Sequence, residues 1–418
     1  MSSTKRFEPG DVKLVSVKIV NTNKTATADL KAMLLTASIY EDLEEPTVYA
    51  ELVINDGLNL VKDFPIIGEE DIEISFVTPG RENITTYKLR TFAVDGTKIS
   101  ENNQTSNYTI KCVSHEHFTN ATRIVDKIYS GTIGEMVLDI FSNELNVTKD
   151  ITVESTRGLT PIAIPQLTPF SAIDYLRKRA VAKRPSGGVY VFFENQYGYN
   201  FITLEKLIED GKNTINTRVF THAPDTKSDT QREAYAWRNI QRIEHLTKFD
   251  TISKMQSGLF KNQVKSFDMV SKIVSETNFN LTEQSGAFET GEKKAKLTNT
   301  EKITNEAYQG APKYMFAPKD SSKGNDYVTD LMGYKLAFAS MFNQNLVRCE
   351  VYGDNYLAAG EMVQLNLPEP SSTTEKKVGD TRFSGNYMIT KLRHIIYQSD
   401  AKFKHNITMD CNKIGFNS

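Results

Sequence analysis

One strand pattern is written into this chain twice, about 290 residues apart. The first copy runs from Gly68 through Glu69, Glu70, Asp71, Ile72, Glu73, Ile74 and Ser75 to Phe76. It continues as 87–94 and closes with Tyr108-Thr109-Ile110-Lys111-Cys112. The second runs from Gly360-Glu361-Met362-Val363-Gln364-Leu365-Asn366-Leu367 through 387–395 to Asn406-Ile407-Thr408-Met409-Asp410-Cys411. Each copy reads as a Gly-Glu turn, an alternating strand, a long second strand and a third strand ending at a cysteine. Alternating strands after glycine also arise by coincidence. If the repeat is real, the chain holds two similar β units, and three such chains place six of them in a ring.

Bulk composition narrows the remaining possibilities. The 418 residues allow about two to four domains and several cores. A formal charge of −2 argues against a dedicated nucleic-acid binder, which needs a basic surface to replace phosphate counterions. It does not argue against a passage through which DNA slides without sticking. Cys112, Cys349 and Cys411 are odd in number and lack metal-ligand spacing, so they read as buried thiols of a reducing compartment. Met1-Ser2-Ser3-Thr4-Lys5-Arg6 leads into Glu8 and Pro9 without an apolar core, so no signal peptide is expected. No apolar run is long enough to span a membrane.

Residues 12–113 read as an antiparallel meander able to close into a barrel or small sandwich. Val15, Val17 and Ile19 share one face of the first strand, and the 33–40 strand is interrupted enough to predict a bulge. Glu44-Glu45-Pro46 is a turn. Val48, Ala50, Leu52 and Ile54 line one face, and Asn55-Asp56-Gly57 has hairpin-turn chemistry. Residues 116–210 change to α+β. Thr119 or Asn120 is expected to cap a helix carrying Ile124, Val125 and Ile128, and a second helix carries the stripe Ile133, Val137, Ile140, Phe141. Thr168-Pro169-Phe170-Ser171 is the clearest helix start, with Ile173, Leu176 and Ala180 facing the core. Ser186-Gly187-Gly188 turns into a buried strand at 189–193. Residues 211–237 read as connective. Trp237 opens a β stretch with Ile240, Ile243 and Leu246, which 260–273 continues. Residues 283–325 read as a polar arm or long loop. Asp326 then leads a helix through Val328, Leu331, Met332, Leu336 and Phe342.

Catalytic signatures are absent: the chain has no phosphate-binding glycine loop, no Gly-x-Ser-x-Gly and no His-Glu-x-x-His. His115-Glu116-His117 could present two imidazoles on one strand face to a metal, but no further ligand spacing supports it. Glu41-Asp42, Glu44-Glu45 and Glu69-Glu70-Asp71 could furnish a glycosidase carboxylate pair, but they fall at turns where charge is usually solvated. Lys178, Lys183 and Arg184 could meet a phosphate, although a solvated helix end explains them better. Phe192, Phe193, Tyr197, Tyr199 and Phe201 could form a sugar platform if exposed; strand packing would bury them instead. No catalytic, cofactor or metal residue is assigned.

Three stretches carry a resemblance. They are 39–43 with 53–57 and 64–70; 168–176 with 188–194 and 201–204; and 351–354 with 359–363 and 385–394. In order and across most of the chain, they resemble the baseplate hub protein of contractile-tailed, T-even-like phages, which is related to the N-terminal part of type VI secretion spike proteins. The resemblance implies an α+β, β-dominated fold in which two similar antiparallel β-barrel domains of tail-tube type flank an α+β domain. The segments expected are 1–115 (first tube-like domain), 116–236 (outer α+β domain), 237–282 (start of the second tube-like domain), 283–325 (polar arm) and 326–418 (helix and remainder of the second). It implies a non-enzymatic homotrimer in the virion baseplate, assembled in the host cytoplasm without membrane insertion. Such a trimer docks the hexameric tail tube on one side and a central spike, often carrying a lysozyme, on the other, among other baseplate proteins. DNA passes in transit and no cofactor is needed. Val48, Glu51, Val53, Arg348, Glu350 and Tyr352, from matching strands of the two copies, are the candidates for ring packing. The competing readings are a tail-associated cell-wall hydrolase and a β-rich glycan- or receptor-binding module.

Overall fold

The computed structural model describes residues 7–413 except 59, 61–63, 65, 100–104, 160, 185–187, 223–235, 247–251, 253–255, 257, 259, 281–312, 320–326, 344, 369–382 and 401. The first unit comprises β1 (Lys13–Val20), β2 (Thr27–Asp29), β3 (Leu34–Asp42), β4 (Tyr49–Asp56), β5 (Asp71–Val77), β6 (Thr85–Ile99) and β7 (Ser106–Val113). An α+β segment follows, with α1 (His115–Thr122), β8 (Val125–Tyr129), α2 (Ile133–Asp139), β9 (Ile151–Val153), β10 (Ile162–Leu167), α3 (Pro169–Arg179), β11 (Tyr190–Asn195), β12 (Gly198–Thr203) and α4 (Leu204–Gly211). The remainder carries β13 (Val219–Thr221), β14 (Ile240–His245), β15 (Lys261–Asp268), β16 (Val274–Asn280), β17 (Lys313–Lys319), α5 (Tyr327–Phe342), β18 (Asn345–Tyr352), β19 (Met362–Asn366), β20 (Gly385–Ser399) and β21 (Lys402–Lys413).

The protein is β-dominated, and the repeat extends further than the sequence pattern. In the first unit the strand order is β3-β4-β7-β6-β5; in the second it is β14-β18-β21-β20-β19. The two ladders match in register. Cys112 pairs with Ala50 and Thr91; Cys411 pairs with Val347 and Ile389. One residue further along β6 and β20, Phe92 and Thr390 are each left unopposed, so both ladders bulge at the same place. A second bulge also recurs. The pairing jumps between Leu34 and Thr36 on β3, opposite Ile54 and Val53, and between Ile240 and Arg242 on β14, opposite Val351 and Glu350.

The turn before each copy is closed by the same device. The Glu70 carboxylate accepts the Ile67 N–H at 2.6 Å, and the Glu361 carboxylate accepts the Ala358 N–H at 3.1 Å, three residues back in both cases. The carbonyls of these glutamates accept the N–H groups of Thr91 and Ile389, again equivalent positions. Glu70 therefore matches Glu361, and the sequence alignment of the two Gly-Glu turns was one residue out. The glycines still serve one purpose, with φ of +95° at Gly68 and +90° at Gly360.

The two units are continuous. β3 pairs antiparallel with the second half of β20, from Lys391 opposite Asp42 to Tyr397 opposite Thr36, so a single sheet of 13 strands runs through both. The expected closed barrels are not formed: among the described residues the sheet stays open. The edge of β3 that would close the first unit is taken by β20, and among the described strands β1 is covered on its outer side only by the three-residue β2.

Four apolar clusters hold the fold. Leu14, Val17, Ile19, Leu52, Ile54, Ile74, Phe76 and Tyr108 centre the first unit; Val347, Val351, Leu365, Tyr387, Ile389 and Met409 centre the second. Val137, Phe141, Ile173, Leu176, Tyr199 and Phe201 fill the α+β segment. Phe193, Leu204, Met362, Tyr334, Phe338 and Phe342 join α5 to β11 and β19.

Local expectations met mixed outcomes, each with a physical cause. The bulge in β3 and the buried faces of β4, α2 and α3 are as expected. Val15 faces outward, because a register shift between Leu14 and Ser16 puts Leu14 in the core in its place. Asp56 does not close a hairpin: its carboxylate accepts the Leu58 and Leu60 N–H groups, and β4 pairs with β3 and β7. The helix expected over Ile124–Ile128 is instead α1 ending at Thr122 followed by β8, with Ile124 and Ile128 exposed. The connective 211–237 includes β13, which pairs parallel with β19. β15 does not extend β14; it forms a separate sheet with β16 and β17. β17 lies within the expected polar arm, the rest of which, like Ser186, Gly187 and Asp326, falls outside the described residues. In α5 the buried face is Tyr334, Ala337, Phe338, Met341 and Phe342, while Leu331, Met332 and Leu336 are half-buried.

Candidate functional site

Strand alternation gives the shared sheet two faces. One carries the unit cores. The other is a polar surface that crosses both units without interruption: Glu244 on β14, Arg348 and Glu350 on β18, Asp410 and Thr408 on β21, Lys391 and Arg393 on β20, Asp42 and Tyr40 on β3, Glu51 and Val53 on β4, Lys111 and Thr109 on β7, and Asp95 on β6. Its carboxylates outnumber its cations, and the cations are largely paired. Arg348 forks onto Asp410 at 2.7 and 2.9 Å. Lys391 donates to Asp42 at 2.7 Å and to Glu44 at 3.3 Å. Lys111 meets Asp95 at 2.5 Å, and Arg242 approaches Glu350 at 3.8 Å. Glu51 accepts the Tyr49 hydroxyl at 2.7 Å. A face of self-paired charges offers few free cations to phosphate.

Behind this face, buried polar groups lock the units together. Glu41, 1% exposed at the end of β3, accepts the Tyr87 hydroxyl at 2.9 Å, the Gln196 N–H at 2.6 Å and the Ala359 N–H at 2.8 Å. One carboxyl thus ties together the first unit, the β11–β12 hairpin and the loop before β19. Burial pushes its pKa up to about 8, against the lowering effect of its donors, and the nearby Glu361 is pushed up to about 7 for the same reason. Glu194 accepts the Val48 N–H at 3.0 Å, the Ser114 hydroxyl and the Lys149 ammonium at 2.6 Å, docking the α+β segment on the first unit. Asn355 accepts the Thr78 N–H at 3.2 Å and donates to the Asn83 carbonyl at 2.9 Å, while Arg81 pairs with Asp354 and lies over the Tyr356 ring. Two fully buried imidazoles, His394 and His405, face each other at 3.0 Å between β20 and β21 and pack edge-on to Phe76.

The ring-packing candidates fall into two groups. Glu51 and Arg348 occupy equivalent positions of β4 and β18, as do Val53 and Glu350, and all four lie on the polar face. Val48 is buried in the first-unit core, and half-buried Tyr352 packs against Gly10. Both edges of β4 and of β18 are paired within the chain, so strand pairing with a neighbour cannot use them.

The remaining sequence candidates serve structure. His115 and His117 start α1 rather than a strand; His115 meets Asp71 at 3.4 Å, and the buried Glu116 accepts from Lys149 and Tyr199. Among the described residues no three His, Cys, Asp or Glu side chains group as a metal site. The acidic turns are not simply solvated: Glu41 and Glu70 are buried acceptors, and Asp71 pairs with Arg90. Lys178 pairs with Asp174, and Arg184 with Glu154, while Lys183 is exposed. Phe192, Phe193, Tyr199 and Phe201 are buried, whereas Tyr197 is 59% exposed and donates to the Tyr356 carbonyl. The buried staples Glu41, Glu194 and Asn355 were not recognisable beforehand, because each pairs with backbone far away in sequence. No helix among the described residues is long and apolar enough to cross a membrane.

No family model and no curated protein matches the sequence. Solved structures do match the fold. A tail protein from Neisseria meningitidis MC58 aligns with a TM-score of 0.56 at 10% identity, covering 96% of this chain and 97% of its own. The 43 kDa tail protein of prophage MuSo2 from Shewanella oneidensis aligns equally well, TM-score 0.56 at 10% identity, covering 95% and 97%. The chain's structural neighbours are tail proteins, and the alignment takes in both units and the segment between them.

Proposed function

We propose that the chain is the structural hub of a contractile phage tail: a homotrimer whose six β units form a pseudo-sixfold ring. The ring adapts the hexameric tail tube to a trimeric central spike and leaves a passage for DNA. The observation that carries the reading is the matched register of the two ladders, down to two shared bulges and a shared glutamate turn, with both ladders in one sheet. A chain with two near-equivalent units turns threefold assembly into sixfold presentation. The barrel closure that each unit lacks alone is supplied when the sheet continues into a neighbour. The self-paired polar face then lines the passage, where DNA meets little free positive charge. The fold shared with tail proteins of matching length supports a tail role. The tube and spike partners follow from the resemblance in sequence, as does a baseplate position.

The test is the mass of the purified chain, alone and co-expressed with candidate tail-tube and spike proteins of the same source. A mass of three chains, with the spike bound, is expected. A monomer in every combination contradicts the reading. Peptidoglycan cleavage by the isolated chain would favour the hydrolase alternative.

A further inference from the structure

The joint inside the chain is a template for a joint between chains. Within the chain, β3, the outer strand of the first ladder, pairs with the second half of β20. The equivalent of β3 in the second ladder is β14, and among the described strands β14 pairs only with β18. The equivalent of the second half of β20 is β6 from Ala93 onward. β5 covers β6 only as far as Arg90, so beyond that point β6 has β7 on one side and no described strand on the other. Among the described strands, one half of the template thus stands unpaired on β14 and the other on the far half of β6. We propose that β14 of one copy pairs antiparallel with the 93–99 stretch of β6 in the next copy, repeating the β3–β20 joint.

The register follows from the ladders. Tyr40 opposes Arg393 within the chain; the equivalent positions are Leu246 and Asp95. Ser38 opposes Ile395; the equivalents are Glu244 and Lys98, with one extra residue of β6 between Asp95 and Lys98 that the joint takes up as a bulge. Burial marks the same vacancy. Ala37 and Ile39, covered by β20, are 0% exposed, whereas their equivalents Ile243 and His245 are half-buried and exposed. Unpaired N–H and C=O groups along such edges favour strand addition. The two edges are different surfaces, so the contact is head-to-tail, the class that closes into a ring when the rotation allows it. A second copy is the fitting occupant, because it alone carries both halves of a joint already formed once in each chain. This inference deepens the ring reading and rests on it.

The test is directed cross-linking in the full-length chain, using Asp95→Cys with Leu246→Cys and dipyridyl disulfide as the two-electron oxidant. The native Cys112, Cys349 and Cys411 are buried and stay out of the reaction. The expected product is a ladder of covalent oligomers ending in a closed ring, reversible by reductant. Asp95→Cys with Glu244→Cys, two residues out of register, should cross-link at least tenfold more slowly. A native trimer without the 95–246 bond overturns this joint and leaves the hub reading standing. Ring closure at another copy number keeps the joint and removes the trimer. A chain that remains monomeric, or one that links 246 to 246 instead, overturns the joint outright.

Discussion

The two β units share a ladder but differ in what is hung on it. In the first, β3 and β4 are joined by the short turn 43–48; in the second, the equivalent β14 and β18 are separated by residues 246–344, which hold β15, β16, β17 and α5. The first unit is flanked by antiparallel β1; the second takes parallel β13 at the matching edge. The inserted segment is not left hanging: α5 packs Tyr334, Phe338 and Phe342 against Phe193 and Met362. Lengthening a surface connection costs little entropy, so one hairpin can absorb a domain-sized insertion while its strands keep their register. What the two units preserve is the ladder, its bulges and its glutamate turn, which are the parts a quasi-equivalent contact needs.

The comparison can be broken most severely at Glu41, which belongs to the first unit and holds the second. Glu41→Ala leaves the Tyr87 hydroxyl and the Gln196 and Ala359 N–H groups buried without an acceptor, and should cost about 3–5 kcal/mol. Glu41→Gln keeps one acceptor and should cost about half as much. Urea denaturation measures both; equal, small losses would remove the latch from the account.

Acid should single out the second unit. His394 and His405 match Gly96–Thr97 and Ser106, so the first ladder has no such pair. Desolvation holds both imidazoles below their usual range, His405 at about 3. The unfolded chain takes up these protons near pH 6.5, so their contribution is complete above that value and is lost as pH falls toward 3. Glu41 and Glu361, whose pKa values are raised, act in the opposite sense between about pH 8 and 4.5. The informative quantity is therefore a difference. A chain with both histidines replaced by glutamine should lose less stability below pH 6.5, by up to about 2.7 kcal/mol per pH unit. Parallel pH curves would contradict this.

Equivalence itself is sharpened at the cysteines. Cys112 and Cys411 sit at the same rung beside the same bulge, both fully buried, with thiol pKa values pushed up by desolvation. Cys112→Ser and Cys411→Ser should each cost about 1–2 kcal/mol and agree closely in thermal shift. A large disparity would show that the rungs are not alike. The smallest effect is expected at Lys391, whose first-unit equivalent is Ala93. Lys391→Ala removes exposed ion pairs to Asp42 and Glu44 and should cost under about 1 kcal/mol. A loss of several kcal/mol would mean that this pair holds β3 to β20.

The sequence made the β character, the repeat, α2, α3 and the burial of the strand aromatics legible, because each rests on local periodicity. Thr132 and Glu135 also form a capping box, whose three-residue spacing is itself a local signal. What stayed hidden depends on contacts across the chain. Val15 looked like core until a one-residue bulge turned it outward. Glu41 looked like a solvated turn charge, because nothing local announces that the distant Gln196 and Ala359 N–H groups converge on it; Glu70 folds back on the N–H groups of its own turn, Ile67, Gly68 and Glu69, and is buried there. The open sheet was hidden too: alternation in a meander cannot say whether the last strand returns to the first or, as β3 does, joins another unit.

The most direct test of the central claim is electron cryo-microscopy of the assembled ring. The account predicts three chains presenting six ladder units at near-equal angular spacing, alternating first and second unit around one continuous wall. Three chains whose first units form one ring and whose second units lie stacked above it, or units facing outward, would contradict it.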